Sequence, residues 1–249
     1  MQIQKFPIAQ QAHGEFNGGE IVENKPVGFP QDGGRMRPYS NLFYWAHAKG
    51  MADSTIGLHP HQGFEIMSFV LKGNIRHYDT KMRAWKPLQA GDVQIIRAGK
   101  GISHSEFLAK DSAIFQIWFD PDLRKTLQQE ASYDDYAHAD LPMTTLANGS
   151  LKTYIGEGSP FQLDTPDVEI YQLQLNSGEY NQVVGESKIL SVYVLSGTAT
   201  INGENSEKDD FLVIRDTTTL EVAKAEAAEL FVIASPALLN YRTYAKSIY

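Results

Sequence analysis

Phe69-Val-Leu-Lys-Gly73 and Tyr193-Val-Leu-Ser-Gly197 are near copies of one another. Outward from this pair, two further matches follow in the same order. Asp92-Val-Gln-Ile-Ile-Arg97 resembles Asp210-Phe-Leu-Val-Ile-Arg215, and Ile114-Phe-Gln-Ile117 resembles Leu230-Phe-Val-Ile233. Ordered matches of this kind mark an internal repeat. Each copy is rich in Val, Ile, Phe and Tyr, the residues that fit a pleated surface. The spacing predicts strands over 65–71, 93–96, 113–119, 171–175, 190–195 and 211–214. Lys72-Gly73-Asn74, Ser196-Gly197 and Asn202-Gly203 supply turns. Many short strands of this kind predict an all-β chain of two similar antiparallel barrels rather than a parallel α/β sheet. One helix is expected over 122–131, opened by Pro121. It would lead into the acidic stretch Ser132-Tyr-Asp-Asp-Tyr-Ala-His-Ala-Asp140 as a connector. The expected division is therefore 1–121, a connection over 122–150, and 151–249.

The 249 residues are 42% hydrophobic, which excludes wholesale disorder. The chain contains no cysteine, which removes disulfides, thiolate metal sites and thiol catalysis together. Any transition metal must therefore be held by nitrogen and oxygen. The net charge of −8 argues against direct nucleic-acid binding. Met1-Gln-Ile-Gln-Lys-Phe6 lacks the apolar core of a signal peptide, and no apolar run approaches the ~20 residues of a spanning helix. The expectation is a soluble cytoplasmic protein without membrane contact.

The histidines stand at positions 13, 47, 59, 61, 77, 104 and 138, and none follows. His59-Pro60-His61 and His104-Ser105-Glu106 each place two metal-binding side chains at i and i+2. On a strand such residues share a face. Two such pairs on neighbouring strands would build a site of three imidazoles and one carboxylate, suited to iron, manganese, nickel, copper or zinc. Glu65, four residues after His61, is a rival carboxylate. Counting from the repeated glycines and arginines puts Val183, Gly185, Val222 and Lys224 where the first copy has His59, His61, His104 and Glu106. The second copy cannot repeat the site.

Gly57-Leu-His-Pro-His61-Gln-Gly-Phe-Glu65, Phe69–Gly73 and His77-Tyr-Asp79 resemble the first signature of the pirin family in the cupin superfamily. Gly91-Asp-Val-Gln94, Ala98-Gly-Lys-Gly-Ile-Ser-His104-Ser-Glu106 and Gln116-Ile-Trp118 resemble the second. The resemblance implies a bicupin of two jelly-roll barrels (double-stranded β-helices) with the metal in the first and none in the second. It implies His59, His61, His104 and Glu106 as ligands of one divalent transition metal, iron(II) first among the candidates. It also implies quercetin 2,3-dioxygenase-type oxidation of a flavonol or similar small aromatic substrate, with Glu106 as the catalytic base. The alternative it implies is a non-enzymatic regulator acting through a protein partner. Phe43, Trp45, Phe64, Phe107 and Trp118 are available aromatics, with core packing as their first use. Two features depart from the family: Gly34–Trp45 lacks the usual opening, and Gln62 stands where Arg or Lys is common.

Overall fold

The computed structural model describes residues 1–244 and contains nineteen strands among them. In chain order these are β1 (Gln2–Phe6), β2 (Ala12–Phe16), β3 (Ile21–Val27), β4 (Leu42–Gly50), β5 (Ser54–His61), β6 (Glu65–Lys72), β7 (Asn74–Asp79), β8 (Trp85–Gln89), β9 (Val93–Arg97), β10 (Ile102–Leu108), β11 (Ala113–Phe119) and β12 (Ser132–Tyr136). They continue with β13 (Met143–Leu146), β14 (Gly149–Ile155), β15 (Glu169–Val183), β16 (Lys188–Ile201), β17 (Glu204–Glu207), β18 (Phe211–Arg215) and β19 (Thr219–Pro236). The chain is all-β and folds as a bicupin. No described helix is long and apolar enough to cross a membrane.

Strand pairing follows the repeat residue for residue. Phe69 of β6 lies between Val93 of β9 and Phe115 of β11. Its counterpart Tyr193 of β16 lies between Phe211 of β18 and Phe231 of β19. The turn bonds match too. Val70 N–H donates to Asp92 O at 3.0 Å, and Val194 N–H to Asp210 O at 3.0 Å. The glycines that close the repeated pentapeptide keep positive φ, 71° at Gly73 and 68° at Gly197. A Cβ on Gly197 would stand 2.2 Å from Ala227 O, so the site admits only glycine.

The first barrel faces a seven-stranded sheet, β12-β9-β6-β11-β4-β3-β2, with a four-stranded one, β5-β10-β7-β8. Both sheets contribute to a core of Ile21, Ala48, Val70, Ile75, Leu88, Leu108 and Ile114. The second barrel is one continuous strand path, β1-β18-β16-β19-β15-β14-β13, with β17 on β16, around an apolar core centred on Val192, Leu212 and Val232.

Three expectations are revised. First, the units interleave along the chain instead of dividing at 121 and 151. Strand β1 pairs with β18, where Phe6 packs on Phe211 at 6.3 Å and covers what would be an open sheet edge. The segment Leu163–Pro166 and the described residues from Asn240 on belong with the first barrel. The last five residues of the expected 151–249 unit lie outside the described residues. Second, the helix is only Leu123–Thr126, capped by Asp122. It stops because Gln129 O accepts from Lys100 N–H at 2.8 Å and the Thr126 hydroxyl donates to Gly63 O at 2.7 Å. Third, the acidic connector is not a linker: Ser132–Tyr136 pairs along β9 as strand β12.

Candidate metal centre

Strands β5, β10 and β7 position the site. His59 pairs with His104 across β5 and β10, and His61 with Ile102. On the other side of β10, His104 pairs with Asp79 and Glu106 with His77. Alternation then puts His59, His61, His104 and Glu106 on the inner face. One donor atom from each of His59, His61 and His104 lies within 4.8 Å of the other two. His61 Nε2 and His104 Nε2 are 3.0 Å apart. That separation matches two nitrogens bound at right angles to an ion with metal–nitrogen bonds of about 2.1 Å. His59 Nδ1 is 2.8 Å from Gly57 O; donating its proton there leaves the Nε2 lone pair free. His104 Nδ1 is buried without a partner among the described residues.

The surroundings favour the neutral, metal-ready imidazole. Burial, then the neighbouring His104 and His59, push the pKa of His61 down to about 3, with Glu106 pulling the other way. Burial, then His59 and His77, hold His104 well below the usual imidazole value. The desolvating wall is aromatic. His61 meets Trp118 edge-on at 5.1 Å and Phe64 at 5.4 Å, and Trp118 stacks on Tyr44 at 4.4 Å. Of the five available aromatics, Phe43, Phe64 and Trp118 belong to this wall. Trp45 packs on Phe115, and Phe107 carries the Arg76 guanidinium at 4.1 Å.

Glu106 stands outside the three-imidazole group. It is fully buried and accepts hydrogen bonds from Ser68 Oγ at 2.8 Å, Gln94 Nε2 at 3.3 Å and Gln116 Nε2. Glu65 is committed elsewhere. Its carboxylate accepts from Asp164 N–H at 2.8 Å, Thr165 N–H at 2.9 Å and the Thr165 hydroxyl, and lies 3.7 Å from Arg97 Nε. It clasps a loop. His77 is buried, 3.0 Å from Asp79 and stacked on Tyr133 at 4.5 Å.

Strand pairing also corrects the counted register of the second barrel. Val222 pairs with Tyr180 as His104 pairs with His59, and Leu220 with Gln182 as Ile102 with His61. The positions equivalent to the first-barrel histidines are therefore Tyr180 and Gln182, not Val183 and Gly185. The reason is a longer path to the repeated pentapeptide, 11 residues from Gln182 to Tyr193 (193 − 182) against 8 from His61 to Phe69 (69 − 61). No imidazole stands there in either register.

His61 opens onto a cleft of about 720 Å³ lined by Gln62, Phe64, Thr80, Lys100, Ser103 and Tyr244, among others. Gln62 crosses its edge to donate to Lys100 O at 2.8 Å. Thr80 and Tyr244 sit in no motif and reach the cleft only through folding.

The pirin family model matches residues 36–119. A Pseudomonas aeruginosa relative, named as a candidate quercetin 2,3-dioxygenase, is 31% identical over 82% of this chain and 84% of its own length. The chain belongs to the pirin family. The quercetin 2,3-dioxygenase of Escherichia coli K12 is 28% identical over 74% of this chain and 78% of its own. The solved bacterial pirin YhhW of Escherichia coli, in complex with nickel(II), superposes with a TM-score of 0.78 at 22% identity, covering 95% of this chain and all of that one. A solved quercetin 2,3-dioxygenase of Acinetobacter baumannii superposes with a TM-score of 0.81 at 19% identity, covering 98% of this chain and 89% of that one. The family's barrel thus carries a histidine cluster able to coordinate a divalent metal.

Proposed function

We propose that this pirin is a quercetin 2,3-dioxygenase-type oxidoreductase acting on a flavonol or similar polyphenol with O2. Its ion, iron(II) first among the candidates, is held by His59, His61 and His104, with Glu106 as the fourth protein group. The observation that carries the reading is the three imidazoles within 4.8 Å, two of them desolvated, beside an open cleft. Three imidazole nitrogens suit iron, nickel, copper or zinc, and nickel(II) is the ion in the related Escherichia coli structure. The bound ion would supply Lewis acidity that makes the flavonol hydroxyl more acidic.

The chain's own residues do the rest. Glu106 accepts the hydroxyl proton as general base. Phe64 and Tyr244 give a flat ring apolar and aromatic surface in the cleft. Trp118 and Phe64 shield His61 from water. The test is oxygen uptake with quercetin by protein loaded separately with iron(II), manganese(II), nickel(II), copper(II) and zinc(II). Equimolar carbon monoxide release above the metal-free control supports the reading. Absence of uptake with every ion rejects it.

A further inference from the structure

Glu106 is surrounded by a polar band that the second barrel does not have. Ser68 pairs with Gln94 on one side and Gln116 on the other, forming one row across β9, β6 and β11. All three side chains are buried and all three donate to the Glu106 carboxylate. By the same register, their counterparts in the second barrel are Val192, Leu212 and Val232. Those three are also fully buried, in an apolar core. The same row of the same fold is therefore entirely polar where a glutamate faces it and entirely apolar where none does. Burying three polar side chains is unfavourable unless each finds a partner, and here Glu106 is the partner.

The count of lone pairs is informative. An ionised carboxylate offers about four acceptor positions. Among the described residues, Oε1 takes Ser68 Oγ–H and Gln94 Nε2–H, and Oε2 takes only Gln116 Nε2–H. Gln94 Oε1 lies 3.1 Å from the Tyr133 hydroxyl, whose single hydrogen is shared between that oxygen and Asp135. We propose that Ser68, Gln94 and Gln116 are positioning residues that lock Glu106 with one lone pair, on Oε2, left for an ion or a proton. Tyr133 is the outer support of that lock. The proposal rests on the reading of the three histidines as a metal centre.

The test is calorimetric titration of cobalt(II) into metal-free protein, with the visible cobalt spectrum as second readout. Ser68→Val introduces the residue of the second barrel and removes the donor. Ser68→Thr has nearly the same shape and keeps it. Supporting groups around metal ligands typically change affinity about 10–100-fold when removed. Ser68→Val should therefore weaken cobalt binding by about tenfold or more and alter the spectrum, while Ser68→Thr binds as the wild type does. Tyr133→Phe, on a partly exposed strand, should weaken binding about threefold and keeps the test open if the valine variant does not fold. Folded Ser68→Val and Tyr133→Phe proteins that bind like wild type, with unchanged spectra, overturn the lock alone. Wild-type protein that takes up no cobalt overturns the metal reading and the lock with it.

Discussion

Glu65→Ala should unfold the protein more easily without removing its metal. In the structure Glu65 is 1% exposed and accepts from two backbone N–H groups, those of Asp164 and Thr165, and from the Thr165 hydroxyl. Stranding a buried donor costs about 1–3 kcal/mol. The Thr165 hydroxyl can rotate to another acceptor, so the buried Thr165 N–H contributes about 1–3 kcal/mol and the part-buried Asp164 N–H less, about 2–5 kcal/mol together. An opposing effect trims this. Burial raises the Glu65 pKa by more than its donors lower it, so deleting the side chain relieves part of a desolvation cost. A net loss of about 3 kcal/mol follows, or about 6–12 °C in Tm for a domain of this size. The assay is thermal and urea unfolding of the metal-free protein, paired with elemental analysis of the loaded protein. Lower stability with wild-type metal content is the expected pair of results. Wild-type stability with lost metal would make Glu65 a ligand and refute the clasp.

Other perturbations follow from the same contacts. In metal-free protein, an unfolded imidazole protonates near pH 6.5 while folded His61 resists to about 3. The unfolded state then binds more protons, so stability falls as pH drops below 6.5. Discounted for the open cleft beside the ring, His61 should account for about 1–2 kcal/mol of the loss between pH 7.5 and pH 5. His61→Asn should flatten the urea-unfolding slope against pH by that amount, and an unchanged slope would contradict it. Val192→Ser, which places the first barrel's residue in the second, should cost about 2–4 kcal/mol in the same assay, because Leu212 and Val232 offer its hydroxyl no acceptor. Gly99 has φ 49°, and a Cβ there would lie 2.5 Å from Gln129 O. Gly99→Ala should therefore displace the Lys100–Gln129 bond and lower Tm.

Much of this was legible in the sequence because it was written twice. Phe69 and Tyr193 sit in repeated pentapeptides, and a shared register across β6 and β16 is what such a repeat must mean. The histidine pairs were legible for a similar reason, since i and i+2 on a strand share a face whatever the loops do. What escaped depends on distances along the chain. Strand β1 crosses to β18 to cover an edge that no local pattern announces. The helix over 122–131 was overestimated because tertiary bonds from Lys100 and Thr126 end it, not its own residues. The His59 and His61 counterparts were displaced because residue counting cannot see the longer path to the second pentapeptide. The roles of Ser68, Gln94 and Gln116 could have been found. Set against Val192, Leu212 and Val232, each is a polar residue at a core position, and only a buried partner explains three of them in one row.

The proposed function requires His59, His61 and His104 to act together on one ion. The most direct measurement is elemental analysis of wild-type protein and His104→Ala, each loaded with iron(II) or nickel(II) and desalted. About one metal per chain in the wild type, with loss of stoichiometric metal in a folded His104→Ala, is the predicted result. Equal metal content in the two proteins, or none in the wild type, would contradict it.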